Sequence, residues 1–264
     1  MPQGSNLGPI LLIIFINDIV NPCGPGVQLF FFADDAKMFI HVKDDRDCII
    51  LQSGLDEFVR WAEEWLVKIN IEKYKVLTVR HKGTSVNVKR IYNIKNNNLE
   101  QVEIYKDLGV LIDEHLAFDK HISEKVNKAY SVLGIRKRNF RYVSKECYIN
   151  LYKTMVWPHL EYANVIWKPR RISDMEKIEK VQRGSTKSIC NNKNLSYEQR
   201  LRELKLPTLY CRQIRDDMIE VYKILNGKYD SNLKIKLQLY TENLVGMVTR
   251  GNGYKLLTHR AKYE

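Results

Sequence analysis

Within the run LFFFADDAKMF, Leu29 to Phe39, two acids stand side by side, Asp34 and Asp35. Adjacent carboxylates repel, and burying them without partners is costly. Such a pair needs a turn open to water, a basic partner, or metal ions. Asp is also a common turn residue, so an Asp-rich bend without chemistry is the plain alternative. The composition describes the surroundings. Lys and Arg number 43 against 31 Asp and Glu, a net charge of +12. That balance favours a polyanionic partner, of which nucleic acid is the commonest. A solvated, Lys-rich surface would give the same charge. The five Cys residues (23, 48, 147, 190 and 211) are odd in number, scattered and without a CxxC. They form neither a disulfide framework nor a zinc site, and they read as reduced thiols of an intracellular protein. The His residues are scattered as well, with no ligand spacing.

The elements that must hold the two acids follow from the flanking text. Ser5 or Asn6 can cap a first helix and Pro9 suits its first turn. This helix is apolar almost all round, which predicts burial on all sides. Its run Ile10 to Ile16 is too short to span a bilayer. No Lys or Arg precedes it, unlike a secretory signal. Pro22, Gly24, Pro25 and Gly26 then break the helix. Val27 to Phe32 and Lys37 to Val42 flank Ala33-Asp34-Asp35-Ala36, a β-hairpin pattern with the acids at the bend. Asp44 or Asp45 starts the next helix, where Leu51, Leu55, Phe58, Ala62 and Trp65 recur along one face as core positions. KVLTV (Lys75 to Val79) reads as a strand. VNVKRIYNI and VEIYKDLGVLID flank a polar KNNN turn and are expected to pair or neighbour. From about Leu116 to about Gly227 the pattern is helical. Ser173 with Glu176, and Ser196 with Gln199, read as capping boxes. Pro207 and Thr208 open a further helix that Gly227 ends. Strands crowd the first part and helices fill the second, an α+β arrangement.

Three segments in order carry a family resemblance: PQGSNLGPILLIIFINDI (Pro2 to Ile19), FADDAKMF (Phe32 to Phe39) and KDLGVLID (Lys106 to Asp113). They closely resemble the reverse transcriptases of non-LTR retrotransposons, the jockey-like group in particular. HISEKVNKAYSVLG, VWPHLEYANVIW, IEKVQRGSTKSI and LKLPTLYCRQIRDDMIEVYKILNG resemble the same group, so the likeness covers nearly the whole chain. It implies a partial polymerase palm over residues 1–115, a helical thumb and connection region over 116–227, and a basic tail over 228–264. The implied activity is RNA-templated DNA synthesis with two divalent ions, Mg²⁺ or Mn²⁺. One activates the primer 3′-hydroxyl and the other neutralises the leaving diphosphate. Asp34 and Asp35 would be metal ligands at the hairpin bend. Gln3 and Gly4 match the segment beside the template and the incoming deoxynucleoside triphosphate. Phe32 and Ala33 would lie next to the primer terminus, and Phe32 serves equally well as hairpin core. Asn70 and Lys73 match an N-x-x-K element, with Lys73 implied to protonate the leaving diphosphate. Leu108 and Gly109 match the primer-grip strand. In the thumb, Lys120, Lys125, Lys128, Arg136, Lys137, Arg138 and Arg141 would contact the phosphates of an RNA template and DNA primer. Gly184 and Ser185 depart from the family pattern by interrupting a helix.

The family's third carboxylate lies on a strand before PQGS. The chain starts at Met1-Pro2-Gln3, so the resemblance places that strand, the fingers and the upstream endonuclease outside it. The expectation is that the chain alone polymerises little or nothing. The competing readings are a non-catalytic nucleic-acid-binding remnant of a retrotransposon and an inert pseudogene product. A nuclear and cytoplasmic location and the absence of a membrane partner follow from the resemblance.

Overall fold

The computed structural model describes residues 7–17, 26–33, 35–81, 83, 90–140, 143–189, 194–229, 237 and 256. The chain divides into two compact units, residues 1–117 and 118–264. Among the described residues the first combines helices with four two-stranded sheets and the second is helical, a mixed α and β architecture. No described helix is long and apolar enough to cross a membrane.

In the first unit, α1 (Gly8–Asn17) is followed by a hairpin of β1 (Gln28–Phe32) and β2 (Asp35–Phe39). The long helix α2 (Asp45–Glu64) starts on an Asp44 cap, whose carboxylate accepts from the backbone N–H of Arg46 and Asp47. Asp47 reaches back to the backbone N–H of Asp44, closing a reciprocal cap. Those backbone bonds, from Lys43 first and Asp44 next, hold the Asp47 carboxyl below its usual range. The buried face of α2 carries Cys48, Leu55, Phe58, Trp61 and Ala62. Phe58, Trp61 and Ala62 receive Leu29, Phe31, Ala36 and Met38 from one face of the hairpin. Cys48 and Leu55 pack with Tyr92, Ile94 and Leu99. Gln52 docks α2 on β4 (Asn93–Ile94): its Oε1 accepts from Asn93 N at 3.1 Å and its Nε2 donates to Asn93 O at 3.0 Å.

Three expectations change here. The apolar helix α1 is not buried on all sides: Ile10, Ile13 and Ile14 are more than half exposed, and Phe15 anchors it through ring contacts with Trp61 and Trp65. A helix apolar all round can use only as many faces as there are neighbours, and the described residues supply one. Trp65 is exposed, because the buried stripe of α2 passes through Trp61 instead. Among the described residues, which exclude 86–89 of VNVKRIYNI, the segments around KNNN do not pair across it as long strands. β4 pairs antiparallel with β5 (Asn97–Asn98) over two residues. β3 (Lys75–Leu77) pairs in parallel with β6 (Glu100–Val102). β7 (Ile104–Asp107) and β8 (Val110–Asp113) form their own hairpin.

The second unit runs α3 (Asp119–Asn139), α4 (Lys145–Leu151), a π-helical turn (Tyr152–Val156), α5 (Trp157–Glu161), α6 (Asn164–Trp167), α7 (Ile172–Ile189), α8 (Tyr197–Leu204) and α9 (Leu209–Leu225). Ser196 caps α8 in a reciprocal box with Gln199, and the Thr208 hydroxyl accepts from Cys211 N to open α9. Gly227, at φ +58°, follows the end of α9 in the left-handed region that favours glycine. Ser173 makes no capping box: α7 already starts at Ile172, leaving Ser173 inside its first turn. Nor do Gly184 and Ser185 interrupt α7. Gly184 faces open space and Ser185 is buried where its hydroxyl and carbonyl meet the Tyr148 phenol.

The interior of this unit centres on a buried glutamine. Gln182 Oε1 accepts from Tyr152 Oη and Trp157 Nε1, each at 3.2 Å. Its Nε2 donates to Tyr197 Oη at 3.2 Å and to Pro207 O at 2.8 Å. Both acceptor sites and both amide protons are therefore used. Tyr197 donates onward to Glu179, whose other oxygen accepts from Leu209 N at 3.1 Å. Burial raises the Tyr152 phenol well above its ordinary range; burial and Glu179 do the same to Tyr197. Both rings stay protonated donors, which the network requires.

Candidate functional site

The β1–β2 hairpin has two unlike faces because strand side chains alternate. Leu29, Phe31, Ala36 and Met38 point into the core. Phe30, Phe32, Asp35, Lys37 and Phe39 therefore share the other face. Phe30, Phe32 and Phe39 are 42%, 61% and 49% exposed, and the Phe30 and Phe39 rings stack at 5.4 Å. This decides the double reading of Phe32: it is surface, not hairpin core. The register pairs Phe32 with Asp35 at the closed end of the hairpin. Ala33 adopts φ +54°, the left-handed conformation that suits tight hairpin turns and costs about 1 kcal/mol for a residue with a Cβ. Asp34 lies outside the described residues, as do Gln3, Gly4 and Arg141.

Asp35 opens β2 on the exposed face, and no described residue forms a hydrogen bond or ion pair with its carboxylate. A carboxylate so placed is a hard oxygen donor free to take a hard cation such as Mg²⁺. Among the described residues no three of His, Cys, Asp and Glu gather in a metal-holding group.

Two further segments arrive at this hairpin. Asn70 and Lys73 bound a short 3₁₀ turn (Ile71–Lys73) and both are exposed. The residues flanking them, Ile69 and Tyr74, pack on the same cluster as Phe31, Ala36 and Met38, so hairpin and turn share one foundation. Burial raises the Tyr74 phenol. Leu108 and Gly109 are not strand residues, as the primer-grip reading had them. They form the tip of the β7–β8 hairpin, with φ +43° and +83°. Asp107, the residue before that tip, binds Lys37 of β2 at 2.6 Å. One ion pair thus ties the open face of the acid-bearing hairpin to the Leu108–Gly109 turn. Sequence reasoning missed Lys37 and Asp107. Both stand inside quoted motifs, and nothing in the linear text pairs residues so far apart.

In the second unit Lys120, Lys128, Lys137 and Arg138 of α3 are exposed and Lys125 is half-buried. Arg136 differs. It occupies the last position of the buried stripe Ile122, Val126, Ala129 and Val132, with its guanidinium 3.6 Å from the centre of the Tyr148 ring. Its charge faces an aromatic ring inside the unit rather than a phosphate in solvent. His159 of α5 lies among the same lysines: burial first, then Lys128 and Lys125, hold its imidazole below the ordinary value.

The chain belongs to the reverse transcriptase (RNA-dependent DNA polymerase) family, whose model matches residues 1–142. Among its relatives are RNA-directed DNA polymerases of mobile elements. It is 28% identical over 204 residues to the RNA-directed DNA polymerase from mobile element jockey of Drosophila melanogaster, covering 72% of this chain and 21% of that protein. Against the jockey polymerase of Drosophila funebris the identity is 28% over 255 residues, with 88% and 26% covered. The probable RNA-directed DNA polymerase from transposon X-element of Drosophila melanogaster is 27% identical, with 98% and 28% covered. The chain therefore spans about a quarter of the length of these curated relatives. No solved structure matches it.

Proposed function

We propose that these residues supply part of the catalytic centre of an RNA-directed DNA polymerase that copies RNA into DNA during retrotransposition. The observation that carries this is the convergence on one hairpin. The Asp35 carboxylate, the Asn70–Lys73 turn and the Leu108–Gly109 turn are brought to β1–β2 by a shared core and one ion pair. In this reading Asp34 and Asp35 would hold a divalent ion, Mg²⁺ or Mn²⁺, which would supply activation of the primer 3′-hydroxyl and charge neutralisation for the leaving diphosphate. Phe32 and Ala33 present a stiff apolar surface to the primer end. Gln3 and Gly4 adjoin the template and incoming deoxynucleoside triphosphate, and Asn70 orients that nucleotide. Lys73 gives a proton to the diphosphate. Leu108 and Gly109 hold the primer backbone. Residues 1–115 then correspond to part of a palm and 116–227 to a thumb, and the product would act in nucleus and cytoplasm. Lys120, Lys125, Lys128, Lys137 and Arg138 form its phosphate-binding face, joined by Arg141 and by a tail from residue 228.

Two metal ions share several carboxylates to hold their spacing, and the third acid of the resemblance has no match among these 264 residues. We infer that the chain by itself extends a primer too weakly to detect. Primer extension by the purified chain that is abolished in Asp35→Asn would overturn this. Catalytic competence is tested by grafting residues 1–142 in place of the matching segment of a jockey polymerase. The graft should extend an RNA-templated primer, and Asp35→Asn within it should not. A second reading, nucleic-acid binding without catalysis, draws on the exposed basic residues of α3. Affinity of the chain for an RNA–DNA duplex should fall steeply with salt, whereas a flat dependence would remove both the thumb and the binding-remnant readings.

A further inference from the structure

Lys37 and Asp35 lie two residues apart on the same face of β2. Their Cβ atoms are roughly 6.5 Å apart by strand geometry, and a lysine stem spans that distance easily. A free ammonium at position 37 would therefore fold back onto the Asp35 carboxylate and occupy the oxygens a metal ion needs. It does not, because Asp107 holds it at 2.6 Å. The pair is only partly shielded, with side chains 34% and 23% exposed, so it is a surface ion pair of small intrinsic worth. Its place on the open face suggests a purpose other than stability.

We propose that Asp107 is a positioning residue for Asp35: it sequesters the Lys37 ammonium and so keeps the Asp35 carboxylate available to a divalent cation. This rests on the reading of Asp35 as a metal ligand. Asp107 itself touches neither metal nor substrate. Three charges set the balance: Asp35 attracts a cation, Lys37 competes for the same oxygens, and Asp107 removes the competitor. The two members of the pair thereby have opposite effects, which a simple structural staple would not show. Loss of Asp107 releases the competitor; loss of Lys37 eliminates it.

The test is a Mn²⁺ titration of the full chain, read from the electron paramagnetic resonance signal of the free ion. Circular dichroism melts run alongside to establish folding. Asp35→Asn should weaken Mn²⁺ binding; if it binds like the wild type, Asp35 is no metal ligand and the underlying reading falls, taking this inference with it. If Asp35→Asn does weaken binding, the pair is tested separately. Asp107→Asn should lower the affinity on the order of tenfold, as expected for a cation released within reach of the site. Lys37→Gln should leave it unchanged or tighter, the double substitution K37Q/D107N should restore it, and Asp107→Glu should preserve it. Equal losses in Lys37→Gln and Asp107→Asn, with no recovery in the double variant, would mean a staple and overturn the proposal. Should Asp107→Asn fail to fold, Lys37→Gln still decides, since weaker binding in that variant contradicts the sequestering role.

Discussion

Among residues 118–264 one polar cluster is built into the interior, whereas among residues 1–117 the polar groups of the acid-bearing hairpin stay on an open face. Around Gln182, two phenols, an indole, an amide and a carbonyl satisfy one another. Around Asp35 and Lys37 a strand face stays exposed, bordered by three half-open phenylalanines and a turn pinned by a single ion pair. A closed network fixes one packing of several helices. An open face leaves charge available to something not in the chain. The first arrangement serves architecture; the second is the one the proposed function uses for chemistry.

The contrast can be broken by substitution. Gln182→Ala should be the most damaging change, because it strands Tyr152, Trp157 and the Pro207 carbonyl together. We expect a loss of about 4 kcal/mol in the denaturant unfolding of the helical unit. Phe58→Ala, in the cluster beneath the hairpin, should cost about 3 kcal/mol. A larger loss there than at Gln182 would reverse the ranking of the two interiors. Asp44→Ala removes one reciprocal cap from α2 and should cost about 1 kcal/mol by thermal melting. Gly184→Ala works in the opposite direction. It places a methyl in open space on a continuous helix and should stabilise by about 0.5–1 kcal/mol. Acid sharpens the comparison last and least. Since the folded-state value of His159 lies below 6.5, the unfolded chain binds that proton first as pH falls. Its contribution is complete above about pH 6.5 and declines as the pH drops toward the folded-state value. An NMR titration should place His159 below its free value, and His159→Gln should flatten the slope.

Much of this was written locally in the sequence. The acid-bearing hairpin, the α2 start at Asp44, the Ser196–Gln199 box and the Thr208 cap depend on residues within a turn of one another, and each was legible. What depends on distant neighbours was not. The periodicity of α1 reports how apolar the helix is, not how many partners it finds. Ser173 offers a cap with the right spacing, but α7 had already begun one residue earlier. Arg136 reads as surface in a basic run until Tyr148 arrives from another helix to cover it. Gln182 looks like any helical glutamine until four groups from separate segments meet it. For the candidate site, Asp35, Lys73, Leu108 and Gly109 were named from motifs, the last two as strand where the structure has a turn, while the Lys37–Asp107 tie needed three-dimensional placement.

The parallel pairing of β3 with β6 carries a kinetic consequence. The β1–β2 and β7–β8 hairpins each join strands that are neighbours along the chain, so each can close within microseconds. Lys75 must instead wait for Glu100, its register partner, and the intervening chain has to loop back before any contact compensates for the lost freedom. As the polypeptide leaves the ribosome, the acid-bearing hairpin can thus be shaped early, while the β3–β6 pairing that follows the Asn70–Lys73 turn forms only after residue 102 has emerged. The local hairpin is built before the long-range pairing that completes its unit.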